Sequence, residues 1–513
     1  MPSRPGWVTS RKAVQTFALV AFVGLFLFTR RGELAGDLAN IPMRLDPLLM
    51  LAASLAGRAL VVGSALALAT LLLTVLFGRA WCGWLCPLGT MLDLIPVRPG
   101  RGRRLAVPEG LRKVKYVLFF LILFAALLGN QTLLFLDPLA IFFRTLTAAV
   151  LPPLDRIVTA IEDLLFQIPG LDGPISSLDS VVRPLLLPAQ PVSYEDALFF
   201  ASFFVGLVAL NAIAPRFWCR YLCPLGGFLG LIGRVAIFRR VATVSCSSCG
   251  LCAEGCPTGT IDPARNYASD PAECTVCMEC LATCPPGSVR FKPSVSAPEG
   301  RPYDPRRREL LLALGAAAVG IALFRSDLLA RRESPFLLRP PGSREGNPDV
   351  VALTNCTRCS ECVRVCPTGA IQPAVLQAGL QGLGTPVLVP RLGYCDYACS
   401  ACGGVCPTQA IPLLSLADKQ RQVIGKAFID QNRCLAWSDH TPCIVCQEMC
   451  PLPEKAIQLE EQAVWKPGGG TVELQMPHVV RDLCIGCGLC EYRCPVSGDA
   501  AIRVYVPTLA VPY

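Results

Sequence analysis

Histidine is nearly absent from this 513-residue sequence, which holds only His440 and His478. Both lie far from the apolar segments of the chain, so a haem buried in a membrane would lack axial histidine ligands. No Cys-x-x-Cys pair is followed by histidine, which excludes covalently attached c-type haem. We therefore expect no haem in this protein.

A glycine-rich nucleotide fingerprint placed after a strand is also missing, and the glycine run at 468–470 is more typical of a turn. Nucleic acid is not an expected partner either. The basic residues behind the net charge of +9 cluster beside apolar segments, as membrane topology predicts, and do not form a binding face. Membrane and redox chemistry are the classes that remain.

Cysteine is abundant, and its 28 copies fall into two Cys-x3-Cys-Pro pairs and six groups of four, with none left for a scattered disulfide framework. Two of the groups, beginning at Cys246 and Cys274, read Cys-x2-Cys-x2-Cys-x3-Cys-Pro. In this arrangement three cysteines ligate one iron–sulfur cubane, and the cysteine before proline ligates the other. Structural zinc is the alternative, but zinc ribbons usually present two Cys-x2-Cys hooks. We assign Cys246, Cys249, Cys252 and Cys284 to one [4Fe-4S] cluster, and Cys274, Cys277, Cys280 and Cys256 to a second.

Apolar residues make up 52% of the sequence, and four apolar segments predict transmembrane helices at 13–29, 59–77, 116–136 and 197–214. A signal peptide is the alternative for the first segment, but no small-residue cleavage site follows it. The loops at 79–115 and 215–240 are basic, whereas the loop at 137–194 carries three arginines and six acids. Short basic loops stay in the cytoplasm, so we expect the ferredoxin at 246–284 inside and the acidic loop outside.

A second membrane-related signal precedes the last third of the chain. Arg306, Arg307 and Arg308 stand before the apolar run 310–324, which resembles a twin-arginine export signal. The alternative is a charged linker followed by an ordinary fifth helix. Because clusters are assembled inside, a cluster-filled domain that is exported must cross the membrane folded. We predict a signal or anchor helix, followed by a Pro/Gly/Arg linker at 331–348.

Four further cysteine groups follow, each ending in Cys-Pro, and they predict four more [4Fe-4S] clusters, six in all. The second and third of these groups have x3 and x8 before their second cysteine, which we interpret as insertions around a retained fold. The proposed ligands are Cys356, Cys359, Cys362 and Cys366; Cys395, Cys399, Cys402 and Cys406; Cys434, Cys443, Cys446 and Cys450; and Cys484, Cys487, Cys490 and Cys494.

The two Cys-x3-Cys-Pro pairs, Cys82 with Cys86 and Cys219 with Cys223, directly follow the second and fourth apolar segments. Both continue as Leu-Gly after the proline, so the membrane part is predicted to consist of two related two-helix halves. Cysteines at i and i+4 share one helix face. They are either small apolar residues at helix ends or a set of redox or ligating thiols between membrane and cluster.

Through these motifs the chain resembles two known families. Residues 1–292 are similar to the NapH family of membrane ferredoxins, with four spans, two Cys-x3-Cys-Pro motifs and a two-cluster ferredoxin. Residues 306–513 resemble the exported four-cluster ferredoxins of the MauM/NapG family, through GTPVLVP at 384–390 and the CLAW group from Cys434. The chain departs from both by joining them in one polypeptide, and the Cys395-x3-Cys399 spacing is unusual for the family.

The resemblance implies nested pairing of the last four groups, first with fourth and second with third, although the sequence alone leaves neighbour pairing open. In the nested scheme the first three cysteines of each group take the fourth cysteine of its partner group: Cys356, Cys359 and Cys362 with Cys494; Cys484, Cys487 and Cys490 with Cys366; Cys395, Cys399 and Cys402 with Cys450; and Cys434, Cys443 and Cys446 with Cys406.

The predicted fold class is an α-helical membrane domain with α+β bacterial-ferredoxin-like domains. Its parts are a four-helix membrane domain (1–240), a cytoplasmic two-cluster ferredoxin (241–292), a signal or anchor helix with linker (293–348), and a four-cluster ferredoxin outside the cytoplasm (349–513).

The resemblance implies an inner-membrane protein that relays electrons from quinol to a periplasmic redox partner. The alternative is a factor for assembly or reactivation of a respiratory metalloenzyme. Asn130, Gln131 and Asn211 are candidate quinone contacts, because polar groups inside membranes are costly, but interhelical hydrogen bonding explains them equally well.

Overall fold

The computed structural model describes residues 6–30, 36–95, 108–170, 172–186, 192–284, 287–293, 307–325, 336–342, 354–465 and 470–506. Some predicted features lie outside these residues. They are Arg306 of the twin-arginine motif, residues 331–335 and 343–348 of the linker, and Gly468 and Gly469 of the glycine run.

Helices dominate the first half of the chain and become short in the second. They are α1 (Gly6–Arg30), α2 (Gly36–Ala39), α3 (Ile41–Arg44), α4 (Pro47–Gly57), α5 (Ala65–Phe77), α6 (Pro87–Leu94), α7 (Val114–Leu127), α8 (Pro138–Thr145), α9 (Leu151–Leu165), α10 (Asp172–Leu186), α11 (Ala197–Ala209), α12 (Pro224–Gly233), α13 (Leu251–Glu254), α14 (Glu279–Thr283), α15 (Arg307–Arg325), α16 (Glu361–Val365), α17 (Ala401–Gly404), α18 (Leu416–Arg421), α19 (Leu435–Ser438), α20 (Val445–Glu448) and α21 (Leu489–Arg493).

Sheet is sparse in the part of the chain that the structure describes, where ten strands form five antiparallel pairs. The strands are β1 (Phe238–Ala242), β2 (Ile261–Asp262), β3 (Ala268–Ser269), β4 (Val289–Pro293), β5 (Ile371–Pro373), β6 (Pro386–Leu388), β7 (Lys426–Ile429), β8 (Ile457–Trp465), β9 (Thr471–Val479) and β10 (Ile502–Tyr505). β1 pairs with β4, β2 with β3, β5 with β6, β7 with β10 and β8 with β9.

The apolar helices are shorter than the sequence predicts. Within the described ranges, one helix, Gly6–Thr29, is long and apolar enough to cross a membrane. The segment predicted at 59–77 is helical only from Ala65, because Arg58 (φ 51°) and Gly63 (φ 84°) take left-handed conformations that interrupt the chain. The segment predicted at 116–136 likewise turns after Leu127, with Gly129 at φ 75°.

An internal duplication is visible in the local structure. Leu-Asp-Pro-Leu occurs at 45–48 and again at 136–139. In both copies the aspartate accepts hydrogen bonds from two backbone N–H groups, and the proline occupies the first turn of α4 or α8. The same residues therefore begin a helix in each half, in agreement with the repeated Cys-x3-Cys-Pro pairs.

The described chain divides into two compact units: unit 1 comprises residues 1–27, 38–146 and 199–323, and unit 2 comprises residues 28–37, 147–198 and 324–513. Unit 1 thus contains most of the apolar helices together with the ferredoxin segment 241–292. Unit 2 contains residues 147–194 of the acidic loop and the last four cysteine groups. The four-domain division made from the sequence stays a prediction.

Within unit 1 the ferredoxin segment is held on the helical part by a buried carboxylate, Glu273. It forms ion pairs with Lys115 and with Arg79 (3.3 Å), and it accepts a hydrogen bond from the Tyr116 hydroxyl at 2.7 Å. All four side chains are buried. Removing one partner of such a pair typically costs about 3–5 kcal/mol, because the other charge is left buried and unpaired.

Contacts nearer the surface extend this attachment. Arg11 on α1 donates to Glu279 at 2.7 Å, and the Trp84 indole donates to the Val276 carbonyl at 2.9 Å. Arg112 donates to the Gly259 carbonyl at 2.5 Å. The ferredoxin segment therefore contacts basic residues from the N-terminal helix and from the loop at 79–115.

Within unit 2 the end of the acidic loop packs on the C-terminal ferredoxin region. Gln372 donates to the Ser193 carbonyl at 3.1 Å, Gln377 donates to Asp196 at 2.8 Å, and Tyr194 packs against the core of the unit. That core mixes aliphatic residues with cysteines. The cysteine sets are therefore part of the hydrophobic core.

We expect Gly83→Ala to weaken the attachment of the ferredoxin segment, because a Cβ at Gly83 would overlap the carbonyl oxygen of Thr275, with backbone on both sides. Overpacking of this kind costs about 1–3 kcal/mol. Gly206→Ala on α11 is the control, since nothing lies within 4 Å of its Cβ position. The unfolding temperature, measured from the visible absorbance of the clusters, should fall for Gly83→Ala and not for Gly206→Ala. Equal unfolding temperatures would contradict this packing.

Candidate metal centres

Four of the six cysteine groups share one backbone conformation. In the first, Ser248 (φ 55°) and Gly250 (φ 78°) flank the middle cysteine, Cys249, in left-handed conformations. The same pair of conformations recurs at Val276 and Met278, at Arg358 and Ser360, and at Gly486 and Gly488. Left-handed residues on both sides bend the loop tightly around the middle cysteine. This conformation allows three sulfurs in a short segment to face one centre.

The last cysteine of a group is held differently from the first three. Cys284, Cys366 and Cys494 each end a short helix and are extended, with ψ of 107°, 113° and 124°. A residue before proline is restricted to this region. The Cys-Pro dipeptide therefore turns the chain out of the helix, which fits a ligand that serves the neighbouring centre.

In unit 1 the structure places the first two groups as the motif predicts. Cys252 interacts electrostatically with Cys246, Cys249 and Cys284. Cys274 interacts in the same way with Cys277, Cys280 and Cys256. The β2–β3 hairpin lies between the two groups and reverses the chain direction. Strand β1 precedes the first group and pairs with β4, which follows the second group.

In unit 2 the nested pairing implied by the resemblance is wrong, because the first of the four groups lies beside the second. Cys362 interacts with Cys356 and Cys359 and with Cys406, the last cysteine of the second group. Cys402 interacts with Cys395 and Cys399 and with Cys366, the last cysteine of the first group. The β5–β6 hairpin between these groups brings them together.

The third and fourth groups are neighbours too. A cavity of about 20 Å³ is lined by Cys434, Cys443, Cys446 and Cys494. A second cavity, also of about 20 Å³, is lined by Cys450, Cys484, Cys487 and Cys490. The β8–β9 hairpin separates the two groups along the chain, and the β7–β10 pair closes them from outside. This arrangement repeats that of the two-cluster segment in unit 1.

The two groups with altered spacing keep their cysteines at these centres through a different local structure. Cys402 lies in α17 and Cys446 in α20, and the residues flanking Cys399 and Cys443 are not left-handed. The Cys395 N–H donates to the Cys487 carbonyl at 2.8 Å. The inserted residues therefore change the loop and leave the ligands in place, as the sequence predicts.

The donor sets fit iron–sulfur clusters, since four thiols come together at each predicted site and most of these thiols are buried or half-buried. Burial raises the pKa of Cys446 and of Cys487 to about 12. It raises the pKa of Cys277 and of Cys395 to about 11. Without metal these thiols hold their protons at neutral pH, so binding of iron releases protons and is coupled to folding of the core. When bound, the clusters supply one-electron redox chemistry.

The Cys-x3-Cys-Pro cysteines also come together. Cys82 and Cys219 lie in single π-helical turns, Trp81–Leu85 and Trp218–Leu222. Cys86 and Cys223 follow as the residues that precede α6 and α12, and all four thiols are buried in unit 1. The i, i+4 α-helical face expected from the sequence is therefore replaced by a π turn and a cap.

Two arginines of this region were missed by sequence reasoning. Arg79 donates to the Cys219 carbonyl at 3.1 Å, and Arg216 donates to the Cys82 carbonyl at 3.2 Å. Both are buried. The signal that could have revealed them is that each stands three residues before the first cysteine of its motif.

The polar residues considered for quinone binding have partners within the protein. The Asn211 amide donates to the Leu92 carbonyl at 3.3 Å, and the Asn130 side chain accepts from the Thr132 N–H at 2.8 Å. Gln131 is buried and also has an interaction partner. These contacts favour a structural role for the three residues.

A larger cavity, which the sequence did not indicate, lies beside the second cysteine group of unit 1. Its volume is about 740 Å³, within the usual range for ligand pockets. Aromatic side chains from the helices and the ferredoxin segment line it, and Val276 and Met278 reach it from either side of Cys277. The aromatic residues are Trp7, Phe77, Trp84, Phe238 and Phe291.

Comparison with protein families supports iron–sulfur binding in both units. A family described as a 4Fe-4S binding domain matches residues 59–104 and 196–243, and a second family of the same description matches residues 350–372 and 477–497. No solved structure matches the chain.

Curated relatives are also ferredoxin-type proteins. The methylamine utilization ferredoxin-type protein MauM of Methylorubrum extorquens is 37% identical over 215 residues, 40% of this chain and 90% of the relative. The ferredoxin-type protein NapG of Escherichia coli K12 is 36% identical over 220 residues, 41% of this chain and 89% of the relative. The putative electron transport protein YccM of Escherichia coli K12 is 28% identical over 231 residues, 44% of this chain and 54% of the relative.

Cys494→Ser distinguishes neighbour from nested pairing. We expect the variant to lose about four iron atoms per chain, because one cubane lacks a thiolate ligand. Mass spectrometry after alkylation under native conditions should then find Cys434, Cys443 and Cys446 labelled. Cys450→Ser is the matched control and should free Cys484, Cys487 and Cys490 instead. Labelling of Cys356, Cys359 and Cys362 in the Cys494 variant would restore the nested scheme.

Proposed function

Because this chain belongs to the ferredoxin-type protein family of MauM and NapG, we propose that it carries electrons from quinol in a membrane to a redox protein outside the cytoplasm. Iron–sulfur electron transfer is common to the family and to the 4Fe-4S domains of this chain. The membrane location, quinol as the electron donor and the direction of electron transfer are our proposals.

The surface of the helices supports a membrane location. Large apolar side chains are exposed along α1, α5 and α11, for example Phe17, Leu68, Leu72, Leu198 and Val205. Large exposed apolar patches are rare on soluble proteins and mark interaction or membrane sites. We infer that these helices, together with the shorter apolar helices around them, lie in lipid.

The contacts within each unit support the orientation. In unit 1 the ferredoxin segment binds basic residues of the loop at 79–115, through Glu273 and the Gly259 carbonyl. Basic loops remain in the cytoplasm. In unit 2, Ser193 near the end of the acidic loop and Asp196 just after it accept hydrogen bonds from Gln372 and Gln377 of the C-terminal region. We therefore place the loop and residues 354–506 on the same side of the membrane, outside the cytoplasm.

The observation that carries the quinol proposal is the 740 Å³ cavity beside Cys277. Its lining is apolar and aromatic, with Arg290 as its charged residue. Trp7, Leu73 and Phe77 lie on helices that we place in lipid, so an apolar quinol can enter from the membrane. Oxidation of the quinol would release two protons to water and two electrons, which clusters held by the cysteine sets would accept one at a time.

Blocking the 740 Å³ cavity should slow the reduction of the clusters by quinol. We expect Leu73→Trp to reduce the rate at least tenfold when quinol is added anaerobically to the protein in detergent and the visible absorbance of the clusters is followed. Leu72→Trp is the control, because Leu72 is exposed on the same helix and does not line the cavity. Dithionite should bleach both variants equally. Equal rates with quinol would remove the cavity from the pathway.

Topology can be tested separately. A protease added to spheroplasts should cut a tag at the C-terminus and leave a tag at the N-terminus intact, because we place the two ends on opposite sides of the membrane. A soluble cytoplasmic protein serves as the control for intact cells. Protection of the C-terminal tag would place all the clusters in the cytoplasm and exclude an acceptor outside it.

A further inference from the structure

The two Cys-x3-Cys-Pro motifs are copies of one longer pattern, Arg-x-Trp-Cys-x2-Leu-Cys-Pro-Leu-Gly, at 79–89 and 216–226. Each copy forms one π-helical turn that contains its first cysteine and then begins an α-helix at the proline. π turns are uncommon and occur frequently at functional sites. The two halves of the helical part therefore present the same local structure twice.

The two copies meet. Cys223 interacts electrostatically with Cys219 of its own motif and with Cys82 and Cys86 of the other. Cys86 in turn interacts with Cys82 and Cys219. The four side chains are between 5% and 7% exposed. Two cysteines from each half thus converge in one buried place.

Arginines cross between the copies at the same place. Arg79 of the first copy binds the carbonyl of Cys219, and Arg216 of the second binds the carbonyl of Cys82. Each arginine also forms an ion pair, Arg79 with Glu273 at 3.3 Å and Arg216 with Asp93 at 2.5 Å. The two positive charges stand beside four thiols, where they stabilise thiolates and an anionic cluster.

The tryptophans of the pattern supply a second observation. Trp81 and Trp218 are buried, and neither indole N–H has a hydrogen-bond acceptor among the residues that the structure describes. Buried N–H donors normally have a partner. The same unpaired donor in both copies points to an acceptor that the protein chain does not supply.

We propose that Cys82, Cys86, Cys219 and Cys223 together bind one [4Fe-4S] cluster, a seventh centre formed jointly by the two halves. Soft thiolate ligands select iron–sulfur clusters, zinc or copper(I). The first 4Fe-4S family matches 59–104 and 196–243, and the cysteines within those ranges are these four.

The position of this centre relates it to the ferredoxin segment. Gly83, between Cys82 and Cys86, packs on the carbonyl of Thr275, which lies between Cys274 and Cys277. Arg216 interacts with Cys277 as well as with Cys219. The centre is thus adjacent to the second ferredoxin site. One electron can pass between the two without any bond being formed or broken.

Serine substitutions at the second cysteine of each motif test the proposal with little disturbance. Cys223 Sγ accepts the Gly226 N–H at 3.2 Å at the start of α12, and a serine hydroxyl can accept the same bond. We expect Cys86→Ser with Cys223→Ser to lose about four iron and four sulfide per chain, together with one component of the electron paramagnetic resonance spectrum of the reduced protein. The single variant Cys223→Ser gives the same test if the double variant does not accumulate.

Cys249→Ser is the matched control, because it removes one ligand of a ferredoxin site whose assignment is independent of this proposal. It should lose a similar amount of iron but a different spectral component. Unchanged iron and sulfide in the Cys86/Cys223 variant would overturn the proposal. So would loss of zinc or copper in place of iron, or a disulfide between these cysteines in protein isolated without oxygen. Each result is independent of quinol oxidation, so it leaves the proposed function to its own tests.

Discussion

Each ferredoxin site takes three sulfurs from one loop and the fourth from a neighbouring segment, and the rest of the ferredoxin structure depends on this constraint. It makes every cluster a cross-link between two parts of the chain. The sheets consist of two strands each in the described ranges, and cysteines form part of the core of unit 2. Where a structural metal site does not exist in the unfolded chain, the binding free energy of the metal contributes to the free energy of folding, and the cysteine sets of this core would act in that way.

The constraint also explains which groups pair. An antiparallel hairpin lies between the members of each pair: β2–β3, β5–β6 and β8–β9. A hairpin returns the chain to its starting point, so the group after it meets the group before it. Between Cys406 and Cys434 the described chain has α18 and β7 instead, and there the pairing changes. Neighbour pairing is thus the arrangement with the shortest loops to close.

The sequence predicted the cysteine groups because ligand spacing is local. It could not predict features that depend on tertiary contacts. The motif predicted the fourth ligand in the first two groups, but in the last four groups this ligand depends on hairpins of three to nine residues per strand, which have weak sequence signals when short. The helices predicted from the apolar segments were too long, because hydropathy measures only how apolar a segment is. It does not detect the left-handed conformations at Arg58 and Gly63. Glu273 and its partners lie more than 150 positions apart in the chain, and no motif connects them.

In unit 1, buried arginines and their carboxylate partners lie beside the four thiols of the Cys-x3-Cys-Pro motifs. Four thiols without nearby cations would be costly to ionise in an apolar surrounding. Arg79 and Arg216 supply that charge, but two buried arginines also need carboxylates, and Glu273 and Asp93 meet this need. Glu273 belongs to the ferredoxin segment, next to Cys274 in sequence. The same ion pair therefore balances the charge beside the paired motifs and holds the ferredoxin site against them, so binding of the segment and the electrostatics of the thiols cannot vary independently.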